Sequence, residues 1–224
     1  MQTNSELNGN QELQEKANQI CTQYGLDFTI EKELLNGSVS QRETKFYGLF
    51  NSVTGEALCT VKENYRVTQT IEVVMLVLTA IMDIKTLRIT KAGSLNGGRK
   101  IFIQLAVEGF SKVGNEIIER YITVIDSNDK TQCLSVGVGD VTMSCSNQFA
   151  YFYNKSEFKL QHASTIEAKL KKLPLLINAA LKQSEAQIGT YERMSQIAYA
   201  ENDIDSLVKA CLGYDKVYTS VEDL

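Results

Sequence analysis

Residues 71–84 read IEVVMLVLTAIMDI. A helix that spans a bilayer needs roughly 20 apolar residues, so this run is too short to cross one, and Glu72 and Asp83 interrupt it. Coiled into a helix, it is apolar on nearly every side. Such a helix offers no face to water and must lie beneath another layer. The flanking sequence supplies that layer. Upstream, TKFYGLFNSVTGEALCTVKENYRV sets two aromatic and β-branched runs around Ser52-Val53-Thr54-Gly55, which is hairpin patterning. Downstream, strands are predicted near 86–94, 99–108, 118–126, 131–138 and 141–145. Turn residues separate them at Asn96-Gly97-Gly98, Gly114-Asn115 and Ser127-Asn128-Asp129.

The ends of the chain read as helical. Residues 1–10 are expected to be disordered, 11–24 helical with Gly25 as a C-cap, and FTIEKELL to open a strand. The aromatic patch FAYFYNKSEF at 149–158 fits either a short helix or a strand. Ser164-Thr165-Ile166-Glu167 fits a capping box, predicting a helix from residue 165. Pro174 inside that helix is expected to kink or divide it near Leu173. A last helix is expected near 201–212, ending at Gly213. Helix, hairpin, helix, antiparallel sheet and helices in this order define an α+β class. The expected organisation is an N-terminal helical, partly disordered segment at 1–40, an α+β core domain at 41–183, and an acidic helical C-terminal extension at 184–224.

Charge follows the same divisions. The chain carries 23 Lys and Arg against 27 Asp and Glu, a formal net charge of -4. Residues 1–40 hold -4, residues 41–183 hold +5 and residues 184–224 hold -5. Residues 85–100, KTLRITKAGSLNGGRK, contain five cations and no acid. A second lysine cluster lies at 155–172. Sign asymmetry of this kind points toward a polyanion, and a solvated lysine face is the competing reading.

Signatures of catalysis are missing from the sequence. His162 is the single histidine, so a Ser-His-Asp or Cys-His mechanism has one candidate base. Its place just before the capping box suits a structural role. The five cysteines, Cys21, Cys59, Cys133, Cys145 and Cys211, include no C-x-x-C pair, which argues against a disulfide framework or a zinc knuckle and for a reducing cytoplasm. Asp126, Asp129 and Asp140 sit in turn-like settings, poor ground for a metal-dependent nuclease. No metal, cofactor or catalytic residue is expected. The loop Gly93-Ser94-Leu95-Asn96-Gly97-Gly98-Arg99-Lys100 would let backbone approach a phosphate closely, and it equally suits a plain hairpin turn. Aromatics lie among the cations: Phe46 and Tyr47 beside Lys45, Tyr65 beside Arg66, Phe102 after Lys100. Proteins that bind single strands combine stacking rings with a cationic groove, although rings in strands also fill cores.

Several pieces in order resemble a phage- and plasmid-borne family, domain of unknown function 932. They are KAGSLNGGRKIFIQLAV, ERYITVIDSNDKTQCLSVGVGDVTMSCSNQFAYF and FKLQHASTIEAKL, preceded by the hairpin with ENYRVTQTIE. The resemblance covers about 45–170. It departs at Ser127-Asn128-Asp129, where the family has a histidine-containing turn, and at Gly139-Asp140, where the family has proline and arginine. The resemblance implies a mobile-element origin and assigns no reaction. The element order is similar, by analogy of fold, to the single-strand annealing proteins of phage recombination, the RecT and Red-beta kind, which form rings or filaments around DNA.

Together these readings lead to an expectation of a cytoplasmic protein that binds and anneals single-stranded DNA without covalent chemistry, acting as a homo-oligomeric ring or filament. Arg66, Lys85, Arg88, Lys91, Arg99 and Lys100 would contact phosphates, with Tyr65 or Phe102 available for stacking. The acidic tail would compete for the groove or recruit a protein. The alternative is a non-enzymatic phage accessory protein, a host-defence antagonist or assembly factor, that works through protein contacts.

Overall fold

The computed structural model describes residues 4–36, 43–82, 84–109, 111–140, 147–148, 158–160 and 166–197. In chain order the elements are α1 (Asn4–Tyr24), β1 (Ile30–Asn36), β2 (Glu43–Asn51), β3 (Ala57–Lys62), α2 (Thr70–Ile81), β4 (Leu87–Leu95), β5 (Lys100–Val107), β6 (Ser111–Val113), β7 (Glu116–Ile118), β8 (Tyr121–Ser127), β9 (Leu134–Gly139), β10 (Phe158–Leu160) and α3 (Ile166–Ser195). The fold is α+β, with antiparallel pairing in every sheet.

The apolar run becomes α2, and it is enclosed as its composition requires. Val74 and Val77 are fully buried, and Val73, Leu76 and Ala80 nearly so. Helix α2 packs between α1 and α3 and against β5. Its start is fixed by Gln69 and Glu72. The Glu72 carboxylate accepts from the Gln69 backbone N–H at 2.7 Å, satisfying one of the donors that a helix start leaves unpaired. The Gln69 side chain then pairs with both backbone groups of Ile30, accepting from its N–H at 2.8 Å and donating to its carbonyl at 3.0 Å. One residue thereby ties the helix to β1.

The main sheet has five strands in the order β10-β9-β8-β5-β4. Helix α1 lies against β4, α2 against β5, and α3 against β8 and β9. Between the layers sit Ile101, Ile103 and Leu105 of β5, Ile122 and Val124 of β8, and Leu134 and Val136 of β9. Each is at most 1% exposed. Leu173, Ile177, Ala180 and Ser184 form the buried stripe of α3, spaced four, three and four residues apart, the period of a helix face.

The hairpin predicted around residues 52–55 forms the β2–β3 pair, and β1 joins it to make a three-stranded meander. This smaller sheet is stitched to the turn end of the larger one. Asn51 Nδ2 donates to the Gly97 carbonyl at 3.1 Å, Arg99 Nη2 to Ala57 at 2.9 Å, Cys59 Sγ to Asn128 at 3.4 Å, and Lys130 Nζ to Thr60. Strand β3 is one edge of its sheet, and Arg99 and Lys130, from turns of the other sheet, occupy two of its carbonyls in place of a further strand.

Several expectations are adjusted. Helix α1 begins at Asn4, within the segment expected to be disordered. Ahead of the boundary read at residue 40, Ala17, Cys21, Leu26, Phe28 and Ile30 belong to the same core as the rest. Helix α3 runs without a break through Pro174 and across the boundary read at 183/184. The Gly114-Asn115 turn joins a small hairpin of its own, β6–β7, so the strand expected from 118 starts at Tyr121. The strand expected at 141–145, the helix expected at 201–212, and the aromatic patch apart from Phe158 lie outside the described residues. Among the described residues, no helix is long and apolar enough to cross a membrane.

Candidate nucleic-acid interface

A β-strand alternates its side chains between two faces, so Arg88 and Lys91, three apart, should point to opposite sides of β4. They do not. The register passes from Ile89↔Leu105 to Lys91↔Gln104, which leaves Thr90 as an extra residue on β4. A bulge of this kind re-aims every side chain beyond it. Arg88 pairs with Ala106, Lys91 with Gln104, and Lys100 with Leu95. All three cations therefore share the sheet face that points away from the helices, because Leu105, Ile103 and Ile101 hold the helix side. From Lys91 to the Leu95–Lys100 pair is four residues, or ~14 Å along the strand at ~3.4 Å per residue. Arg88 is exposed and Lys91 half-buried. Neither makes an ion pair with a described residue.

The middle of this face is closed. Gln104, Thr123 and Ser135 are fully buried, and Gln104 Nε2 donates to Thr123 Oγ1 at 3.2 Å. Phe102 is 5% exposed, and its ring lies against Gly93, where a Cβ would come within 3.2 Å of it. Phe102 is thus a packing residue, and the expectation that it could stack on a base is corrected: a strand side chain on this face meets the covered centre of the sheet. At the end of the Arg88–Ala106 row, the Tyr121 hydroxyl donates to Glu119, and that bond raises the Tyr121 pKa.

The other expected residues spread out. Lys85 is exposed in the turn between α2 and β4, close in sequence to the cationic strip. Arg66 is exposed between β3 and α2. Tyr65 is half-buried beside the core, and burial pushes its hydroxyl up to about 12. It lines a crevice of about 10 Å³ with Ile30, Leu49, Val67, Thr68, Ser127 and Asn128, room for one water and too small for a base. Arg99 is exposed, yet its guanidinium is engaged with the Ala57 carbonyl. Desolvation raises the nearby Cys59 thiol, with the cations of Lys130 and Arg99 acting in the opposite direction.

The glycine loop is a junction. Asn96, Gly97 and Gly98 have φ of 53°, 68° and 93°. The Gly97 and Gly98 carbonyls accept from Asn51 and Asn128, the latter at 2.7 Å. The Glu56 carboxylate occupies the space where a Gly97 side chain would begin, and Phe28 and Asn51 crowd Gly98. A carboxylate seated on the loop repels phosphate, so the hairpin reading holds. Asp129 is a turn residue, its Oδ1 accepting from the Thr131 N–H at 3.0 Å, whereas Asp126, expected in a turn, is a buried residue of β8 paired with Ile101, and its Oδ1 accepts from the Ser127 N–H at 3.0 Å. His162 and residues 198–224, which include most of the acidic extension, lie outside the described residues.

Sequence reading missed two features. The bulge at Thr90 has no glycine or proline to announce it. In the sequence Phe46 is one ring among several; in the fold it is left 50% exposed. A profile of the family described as Domain of unknown function (DUF932) matches residues 57–222, beyond the 45–170 covered by the motifs at its C-terminal side. No curated protein and no solved structure matches the chain.

Proposed function

The chain belongs to the DUF932 family, and we propose that it binds single-stranded DNA along the β4 edge of its five-stranded sheet and promotes annealing, with no covalent step. The observation that carries this reading is the Thr90 bulge, which brings Arg88 and Lys91 to the face that also holds Lys100. A row of cations at strand spacing suits a flexible phosphate backbone, and contacts to phosphate are independent of sequence. Annealing requires neutralised backbones with base edges left accessible, and a flat cationic rim meets both needs. Lys85, next to the strip in the chain, extends it; Arg99 contributes less because its guanidinium already serves the sheet junction.

Fluorescence anisotropy with a labelled oligothymidylate of about 30 nucleotides at low salt tests the reading. Saturable binding that Arg88→Gln/Lys91→Gln weakens supports it. A flat titration contradicts it and favours a protein that acts through protein contacts.

A further inference from the structure

Strands β2 and β3 carry a second site. Their outer ends border an open cavity of about 670 Å³, whose described walls are Thr44, Lys45, Phe46, Lys62, Glu63 and Asn64. That volume lies in the range of small-molecule sites, and its described walls set one aromatic ring among polar and charged side chains. Phe46 and Lys62 are directly paired across the strands, so their Cβ atoms are ~5 Å apart on one face.

Phe46 is held in place without being packed away. Thr44 Oγ1 accepts from the Phe46 N–H at 3.3 Å and donates to the Leu35 carbonyl, which pins the backbone beneath a ring left 50% exposed. The adjacent Tyr47 is treated differently. It packs on the core, and the Lys32 ammonium sits 4.8 Å from its ring centre. Lys32 also donates to the backbone carbonyls of Glu63 and Tyr65, which anchors the chain just past β3, at the cavity's rim. The described walls carry two ammonium groups, Lys45 and Lys62, and one carboxylate, Glu63, so they complement an anion with a flat apolar body.

We infer that this cavity binds one nucleotide unit, its base stacked on Phe46 and its phosphate beside Lys45 and Lys62. The choice of a nucleotide rests on the reading of the β4 strip, while the cavity itself is independent of that strip. A ring face and a phosphate-binding cation are the two parts from which single-strand sites are built. The unit is either a free nucleotide or one residue of a bound strand.

Calorimetric titration of the full chain with adenosine monophosphate, adenosine and oligothymidylate tests this. Adenosine monophosphate is expected to bind more tightly than adenosine. Phe46→Ala should weaken it about tenfold or more, Phe46→Tyr should retain it, and Lys62→Gln should remove the preference for the phosphorylated form. A matching loss for oligothymidylate in Phe46→Ala places a strand in the cavity; a loss confined to adenosine monophosphate assigns it to a free nucleotide. Absence of adenosine monophosphate binding, or equal affinity in Phe46→Ala and the parent, overturns the inference. The strip is read separately: oligothymidylate binding lost in Arg88→Gln/Lys91→Gln but intact in Phe46→Ala, with no adenosine monophosphate binding, sinks the cavity alone. Binding of adenosine monophosphate with none of oligothymidylate sinks the strip alone.

Discussion

Gly98 shows how a residue can be read correctly in type and incorrectly in purpose. Two glycines beside Arg99 and Lys100 suit a phosphate cradle and a hairpin equally well, because both need backbone that bends freely and admits close neighbours. The neighbours decide, and they come from Phe28, Asn51 and Glu56, far away in the sequence. Gly98→Ala would place a Cβ 2.7 Å from Asn51 Nδ2 at a φ of 93°. Strain and overpacking together are expected to cost about 2 kcal/mol or more, read as a lower urea midpoint at unchanged slope. Tyr65 gives a pH prediction. Its hydroxyl rises from an ordinary value of 10.0 to about 12, mainly through burial. Between those values the unfolded chain has released the proton while the fold retains it, so stability is full below about pH 10 and falls as pH climbs toward 12. In Tyr65→Phe the decline above pH 10 should be shallower in urea titrations across that range; an unchanged slope would show that Tyr65 does not carry it.

The elements were legible wherever periodicity was strong. The α2 run, the 52–55 hairpin and the strands that became β4, β5, β8 and β9 stand at or near their expected places, because alternation and turn residues are local properties. What could not be read is how strands slip against one another. The Thr90 bulge depends on pairing with β5, and strict alternation would have split Arg88 from Lys91. The strip has a quantitative signature in salt. Each phosphate contact to a single strand contributes a slope of about -0.7 in log K against log salt, so Arg88→Gln/Lys91→Gln should flatten the slope by about 1.4. Pro174 is the other element-scale lesson. Proline removes a helix hydrogen bond and disfavours the preceding turn, yet α3 continues through it. Leu173 and Ile177, both fully buried, hold the two sides of Pro174 on one packed stripe, and tertiary burial outweighs local preference. Pro174→Ala is therefore expected to raise stability, by up to about 3 kcal/mol, in urea unfolding. A loss of stability would mean that the ring itself packs usefully.

At the scale of the whole molecule, one helical layer and one five-stranded sheet share a core, and a smaller sheet is fastened at the turn end through Asn51, Cys59, Arg99 and Lys130. The class was legible because an all-round apolar helix among alternating strands has few stable homes. The segment charges sharpen at this scale. The +5 of residues 41–183 is a net sum, and the structure collects three of its cations on one face of β4 and β5. Three cations are few for strand binding, so copies of the chain would have to align their strips. Mass photometry with and without oligothymidylate is expected to show assembly beyond the monomer, as a ring or filament. A monomer under both conditions would contradict that part of the account. The central claim, that the β4 face binds single strands, is met most directly by anisotropy of a labelled oligothymidylate titrated with the parent chain and with Arg88→Glu/Lys91→Glu, each checked by circular dichroism. The account predicts saturable, salt-weakened binding by the parent and its loss in the folded variant. Equal binding by both, or none by the parent, would contradict it.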